Sequence, residues 1–517
     1  MKRFYFAPLL CAAITCACNT QNVDTQLVFD PSRGEQMSMT LPGGQVVNYT
    51  AYTNLYYVEN VEDSTYQYMN IFVPDGATQQ SPIFMPNGVG GYMASRPSMI
   101  DANGASGRAL AEGFVVAIAG ARGRNSTVQH DDKTIYTGRA PKALLDLKAA
   151  VRYLRYFDNQ ILGDAEKIVT DGTSAGGAMS SLLGATGNNP AYEPMLEAMG
   201  AAPTRDDVFA SVCFCPIIDL EHADMVYEWL YSCTNDGIRR LNDEQKNVSA
   251  ELAAMYPEYL QSLNLTNPTN GEPLTAENYL DYMKQFLIAS AQEAKDAGAE
   301  LLDTIGITYS RNQEFQAPIN GGVGRPDEHH RPPHGMPPMG ERRGAPHGRM
   351  PMMNGGFGRS GETIIDIDLS KYLPYVVSTV ALKTPPAFDS QGVIDNRASG
   401  ENEEFGDDTG SSVNFTNYSL RKASGNATAE IDASIAENVR LLNPMRMMDD
   451  AGSTIAKHWY IRHGARDRDT AFPVPINLAT KLMNKQLDVD FKLPWNRPHM
   501  GDYALNEMFD WIKEVTK

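Results

Sequence analysis

A serine framed by glycines, then an acid, then a histidine are the residues in this chain equipped to transfer an acyl group. The serine is Ser174 in Gly172-Thr173-Ser174-Ala175-Gly176, a G-x-S-x-G string between an apolar stretch and the small-residue run AGGAMSSLLGA. Small neighbours let the backbone turn sharply and expose the hydroxyl, and a helix starting there aims its first amides at a developing negative charge. A serine hydroxyl is a poor nucleophile without a base. The base, a histidine, needs an acid to fix its tautomer and stabilise the imidazolium. Asp467, at the end of His463-Gly464-Ala465-Arg466-Asp467, and His499, in Pro498-His499-Met500-Gly501-Asp502-Tyr503, are the candidates. His458 and His463 lie on the preceding strand, where a satisfied structural role is expected.

The order Ser, Asp, His is that of the α/β-hydrolase fold, and the H-G-x-x-D turn looks like its acid-bearing loop. An oxyanion hole needs two backbone donors. One is the N–H of Ala175, after the nucleophile. The other falls to Gly90 or Gly91 in the glycine-rich loop Asn87-Gly88-Val89-Gly90-Gly91-Tyr92, after the strand Ser81 to Pro86. Gly120 to Arg124 forms a second loop at the same edge.

Elements of the right kind surround these loops. Tyr66 to Pro74 alternates like a half-buried strand, and Phe114 to Ala119 (FVVAIA) is the apolar run of a covered parallel strand. After Pro141, Leu144, Leu147, Val151 and Leu154 recur at helical spacing and predict one apolar face. Strands at Lys167 to Thr170 and Val208 to Cys215 complete an alternation that implies a mostly parallel sheet with helices on both faces. From about 217 to 440 the alternation stops; helical segments at Asp243 to Tyr259 and Thr275 to Ala299 predict an inserted, mainly helical lid. The pattern resumes with His458 to His463, a helix near Pro475 to Asn484, Asp488 to Leu493, and a helix from Tyr503 to Val515. The expected organisation is therefore core 40–216, lid 217–440 and core 441–517. Within the lid, 317–361 is rich in Gly, Pro, Met, His and Arg, a composition expected to stay solvated.

The chain has 517 residues and a net charge of −19, a balance that repels phosphate backbones and excludes nucleic acid as the expected partner. Met1-Lys2-Arg3 followed by the uncharged stretch to Ala17 reads as a secretory signal over 1–18, about 14 apolar residues where spanning needs about 20. Thr15-Cys16-Ala17-Cys18 resembles a lipobox, making Cys18 the candidate lipidation site, with simple cleavage after Ala17 the alternative. A membrane is expected to be touched only through that anchor. Cys213, Cys215 and Cys233 are an odd set for an oxidising compartment and argue against a disulfide framework; Cys213 and Cys215 read as buried small side chains. No CxxC or HxxH metal spacing occurs.

Six strings together resemble the bacterial (subtype B) tannases: GTSAGG at Ser174, GARGRNS at Gly120 to Ser126, CPIIDLEHADMVYEW at Cys215 to Trp229, LKTPPAFD at Leu382 to Asp389, HGARDRDT at His463 to Thr470, and PWNRPHMGDY at Pro494 to Tyr503. The likeness covers Tyr52 to Lys517 outside the 317–361 segment. It implies hydrolysis of galloyl esters by a Ser-Asp-His triad under an inserted lid, with no metal or organic cofactor. It also implies that Lys383, Asp469 and Glu401 hold the phenolic hydroxyls, Glu403 or Glu404 being alternatives to Glu401. Feruloyl or acetyl ester hydrolysis and a non-catalytic ligand-binding lipoprotein are the competing expectations. Oligomeric state is left open.

Overall fold

The computed structural model describes residues 23–24, 26–310, 362–378 and 380–517; the segment 1–18 with Cys18, and the segment 317–361, lie outside the described residues. Nine strands form one sheet: β1 Glu35–Thr40, β2 Val46–Tyr56, β3 Tyr68–Pro74, β4 Pro82–Pro86, β5 Val115–Ala119, β6 Asp164–Thr173, β7 Ala210–Phe214, β8 His458–Arg462 and β9 Asp488–Lys492. Across the sheet they lie in the order β9-β8-β7-β6-β4-β5-β3-β2-β1. The six from β9 to β5 run parallel, and the last three alternate antiparallel at the other edge. This is the α/β-hydrolase fold, with a mixed rather than uniform sheet.

Side-chain pattern follows position. Every residue of β5 and β7 is buried, as central parallel strands covered on both faces must be. Along β2, Val47, Tyr49 and Ala51 turn inward while their neighbours are more exposed, the period of a strand with one wet face. The half-buried reading of β3 is corrected: Met69 to Pro74 are all buried, because both faces are packed, Met69, Ile71 and Val73 in one apolar core and Phe72 in the other.

The core helices are α1 Ala105–Ala111, α2 Lys142–Tyr156, α3 Ala175–Ala185, α8 Pro473–Asn484 and α9 Leu505–Val515; between β7 and β8 come α4 Leu220–Tyr231, α5 Asp243–Ser262, α6 Tyr279–Asp296 and, among shorter helices, α7 Gly400–Glu404. Two apolar cores cover the two sheet faces. In one, Ala109 and Leu110 of α1 and Phe509 and Ile512 of α9 pack on Phe84, Val116 and Val212; in the other, α2, α3 and α8 pack with the lid. Leu144, Leu147, Val151 and Leu154 of α2 are buried as their spacing predicts, and the rest of Ala143 to Leu154 is buried with them. Asp146, Lys148 and Arg152 are buried with its leucines because each has a charged partner: Asp146 is held bidentately by fully buried Arg122 (2.8 and 2.9 Å), while Lys148 (2.7 Å) and Arg152 (2.8 Å) pair with Asp206.

The described residues of 217–440 contribute no strand to the main sheet but do carry a hairpin, Ile307–Ser310 paired antiparallel with Thr363–Ile367, on either side of 311–361. The insertion is fastened to the core through α6, where Tyr282 hydrogen-bonds Thr480 of α8 (2.8 Å) and Tyr279 donates to Asn477. Among the described residues no helix is long and apolar enough to cross a membrane.

Candidate active site

Four loops meet at the carboxyl edge of the parallel strands, the edge where open α/β sheets bind ligands. Ser174 follows β6 with φ 63° and ψ −123°, a strained conformation costing about 1–3 kcal/mol that surrounding bonds must hold. They are in place: Ser174 N–H donates to Phe214 O (2.9 Å), and Ser174 O accepts from Ala178 N–H (3.0 Å) and Ile217 N–H (3.2 Å). Ala175 opens α3, so its N–H lacks an intrahelical acceptor.

The loop after β4 is bolted to this elbow by one amide. Asn87 Nδ2 donates to Asp171 O (2.9 Å) and Gly176 O (3.0 Å). In the turn beyond, Gly90 O accepts from Met93 N–H (3.0 Å) and Gly91 O accepts from Arg124 Nε (2.8 Å). Both carbonyls are thus occupied, which fixes the turn beside the elbow. Tyr92, almost fully buried, ties the turn to the chain after β7 by donating to Ile217 O (2.8 Å).

Asp467 and His499 come together as their order implied. His499 Nδ1 lies 2.7 Å from Asp467 Oδ2, and the other carboxylate oxygen accepts from Asp469 N–H (2.8 Å). The two loops approach through glycines: a methyl group on Gly464 would lie 2.2 Å from Arg497 O, and one on Gly501 would lie 1.9 Å from Thr173 Oγ1. Neither contact admits a side chain. Asp467 is fully buried and His499 about one-fifth exposed. Burial by itself would raise the Asp467 carboxyl, but His463, His499 and the Cys215 thiol outweigh it and hold the group at about 2. Burial would lower the His499 imidazole; the Asp467 hydrogen bond and charge, with Asp469 adding and Lys383 opposing, raise it above its ordinary value.

The three residues expected to meet phenolic hydroxyls come from two loops and a lid helix. Asp469 is part-exposed, 3.8 Å from His499 Nδ1 and paired with Arg468 (2.6 Å). Lys383 sits with Nζ 4.0 Å over the Phe388 ring. Its backbone is gripped from both sides, the N–H donating to Tyr227 OH (3.1 Å) and the carbonyl accepting from Arg239 Nε (3.1 Å). Glu401 is half-buried on α7, whose start Ser399 caps. The neighbouring acids are differently placed: Glu403 pairs with Arg124, and Glu404 is fully buried, its carboxyl pushed well up by burial.

Several residues of the site were not singled out by sequence reasoning. Tyr227 of α4 donates to Arg468 O (2.9 Å) while accepting from Lys383 N–H, so one side chain joins the acid loop to the lysine segment. Asp224, one turn earlier, accepts three backbone N–H groups from Ala387, Phe388 and Asp389. Cys215 lies past the end of β7 with φ 45°; it is buried, as expected, its thiol donating to Met500 O (3.4 Å) and lying within 4.8 Å of the Asp467 carboxylate. His463 departs from its expected role. It is fully buried and neither ring nitrogen has a hydrogen-bond partner, whereas His458 is satisfied by Asp488 (2.8 Å).

Three groups of acid, histidine or cysteine among the described residues lie close enough to share an ion: Cys215–His463–Asp467, Asp219–Glu221–His222 and Asp467–Asp469–His499. The carboxylates of the second are occupied by His222, Asn443, Tyr259 and Arg446, and Asp467, common to the other two, by His499 and Asp469 N–H.

The chain aligns with a tannase from Fusobacterium nucleatum at 33% identity over 95% of its own length and 100% of that chain, with a TM-score of 0.77. It belongs to the bacterial tannase family. The tannin acyl hydrolase from Lactobacillus plantarum is similar at 33% identity, covering 95% of this chain and 99% of that one, TM-score 0.76. A tannin acyl hydrolase in complex with ethyl gallate aligns with the same identity, coverage and TM-score. The BD-FAE family model matches residues 69–264, which contain the Asn87–Tyr92 turn and Ser174. No curated protein matches. This tannase-family chain is a carboxylic ester hydrolase, a tannin acyl hydrolase-like esterase.

Proposed function

We propose that the chain hydrolyses galloyl and related phenolic esters through an acyl-enzyme on Ser174. The observation that carries this reading is the convergence of Asp467 and Asp469 on His499 Nδ1, at 2.7 and 3.8 Å. One acid serves the base and its loop neighbour stands where a bound acyl group would lie. With Nδ1 committed to Asp467, His499 has Nε2 free to take the Ser174 proton as Oγ attacks the ester carbonyl. The oxyanion is received by the N–H of Ala175 and by that of Gly90 or Gly91. Collapse breaks the ester C–O bond, and His499 returns its proton to the departing alcohol. Water, deprotonated by the same imidazole, then attacks the acyl-enzyme, releasing the acid and restoring Ser174.

Lys383, Glu401 and Asp469 are proposed to recognise the hydroxylated ring. Carboxylates accept from phenolic O–H groups, and an ammonium donates to their oxygens. Of the three neighbouring glutamates, Glu401 alone is both accessible and without an ion-pair partner among the described residues, which favours it over Glu403 and Glu404. The tannin acyl hydrolase structures with ethyl gallate and with 3,4-dihydroxybenzoate support the ring class. Export through the N-terminal signal, with a lipid on Cys18, belongs to the same proposal.

Turnover of methyl gallate, methyl ferulate and p-nitrophenyl acetate tests it. Methyl gallate should be preferred, and Ser174→Ala should lose roughly 10⁶-fold in kcat. Ferulate or acetate turnover without gallate turnover would reject the substrate class, and full activity in Ser174→Ala would reject the mechanism.

A further inference from the structure

His463 immediately follows β8 on the way to Asp467, and it is the anomaly of the buried site. The imidazole is fully buried, packs edge-on against Phe472 at 5.7 Å between ring centroids, and has both nitrogens without a hydrogen-bond partner. A neutral imidazole has one donor and one acceptor, and leaving both unmade in the interior costs about 1–3 kcal/mol each. The nearest charged oxygen is Asp467 Oδ2, 3.5 Å from His463 Nδ1 and the same oxygen that meets His499 Nδ1 at 2.7 Å. Asp467 lies four positions after His463, and Asp467 N–H closes the turn between them on Gly464 O (2.8 Å).

We propose that His463 is a positioning residue for the triad acid, its neutral Nδ1–H dipole standing 3.5 Å from the Asp467 oxygen that is aimed at His499 and steadying that oxygen without bonding it. This rests on the Ser174, His499 and Asp467 reading above. Burial pushes the His463 imidazole down, so it stays neutral while His499 cycles through its cation. A second cation against Asp467 would compete with that cycle; a neutral donor steadies the carboxylate without cancelling its charge. The other groups facing this cluster are Cys215 from beyond β7, the Tyr231 hydroxyl of α4, which reaches Asp467 O (3.5 Å), Tyr503 before α9, Asp469 beside His499, and Arg468 and Lys383 toward the pocket.

The test is the pH dependence of kcat and kcat/KM with p-nitrophenyl acetate, an ester independent of phenolic recognition, on the full chain. In His463→Leu the carboxylate loses the neighbouring N–H dipole and grips the His499 proton harder. The acid limb should move up by about half a pH unit, and kcat should fall roughly three- to tenfold, the size of one buried hydrogen bond. His463→Gln, which keeps an N–H donor and cannot ionise, should restore both. A wild-type limb and kcat in His463→Leu, or equal damage in the Leu and Gln variants at matched thermal stability, would overturn the proposal. If the Leu variant does not fold, His463→Met, which has no donor, takes its place on the same criteria. Ser174→Ala is run alongside: retained turnover there would bring down the triad and this inference together, whereas its loss with insensitivity at His463 sinks the inference alone.

Discussion

Gly501 is the position where a single carbon should do the most damage to catalysis for the least change in chemistry. It stands two residues after His499, and its φ is not left-handed, so alanine carries no backbone penalty there. The cost is steric. An added Cβ would lie 1.9 Å from Thr173 Oγ1, 3.0 Å from Thr173 Cβ and 3.3 Å from Cγ2, where ordinary contact begins near 3.4 Å. Rotating the threonine clears the hydroxyl but leaves its Cβ too close, so the His499 loop or the end of β6 must shift. Both ends of that contact are catalytic in consequence, since Thr173 immediately precedes Ser174. A displacement of about 1 Å between nucleophile and base costs on the order of 10² in rate, and overpacking costs about 1–3 kcal/mol of stability. Gly501→Ala should therefore lose roughly 100-fold in kcat with methyl gallate while remaining folded by thermal melting. Adding Thr173→Ala, which removes Oγ1 and Cγ2, should recover about tenfold or more. Activity within twofold of wild type in Gly501→Ala, or no recovery in the double variant, would refute the idea that this contact sets the distance between Ser174 and His499.

His499 must be neutral to act as base, and Asp467 raises its pKa, so kcat/KM should climb with pH along a limb above the ordinary histidine value of about 6.5. Asp467→Asn should move that limb down and reduce kcat by about 10⁴; a stationary limb in the pH profile would contradict the pairing. The same carboxyl, held at about 2, contributes stability that is present above about pH 4 and lost as pH falls toward 2, so Asp467→Asn should flatten the acid side of the Tm curve. Lys383→Met should raise KM for methyl gallate about tenfold, the worth of one charge-assisted hydrogen bond, and leave p-nitrophenyl acetate unchanged; equal effects on both esters would mark it as structural. Asp224→Asn should destabilise the chain by about 1–3 kcal/mol in urea melts, because an amide cannot accept all three N–H groups of Ala387, Phe388 and Asp389. An unchanged midpoint would count against that role.

What could be read in the sequence was whatever rests on local pattern. β5 and β7 were legible because parallel strands buried on both faces are unbroken apolar runs, and the elbow because glycine and small residues sit at fixed offsets from Ser174. Of the antiparallel edge, β3 was legible but β1 and β2 were not, although Val47, Tyr49 and Ala51 alternate as a strand should. The burial of α2 could not be seen at all: Asp146, Lys148 and Arg152 look like a wet face until Arg122 and Asp206 arrive from distant loops. His463 failed for a related reason. Strand position suggests a satisfied side chain, but satisfaction depends on the neighbours that folding supplies, and here it supplied Phe472 and the edge of Asp467. The H-G-x-x-D spacing did carry the hint, since a four-residue turn returns the chain to its starting point.

The arrangement also constrains how specificity can vary. Lys383 is in the insertion and Asp469 in the core, yet Tyr227 OH accepts from Lys383 N–H and donates to Arg468 O, the peptide just before Asp469. Arg124 works in the same way on the other side, bonding Gly91 O of the proposed oxyanion turn and pairing with Glu403 on the helix that carries Glu401. The residues proposed to face the ring are thus tied to side chains that also hold the proposed acyl-transfer machinery. A change that moves the lid moves the acid loop or the oxyanion turn with it. Substitutions confined to the tips of Lys383, Glu401 and Asp469 should alter KM alone, whereas substitutions at Tyr227 or Arg124 should lower kcat and raise KM together.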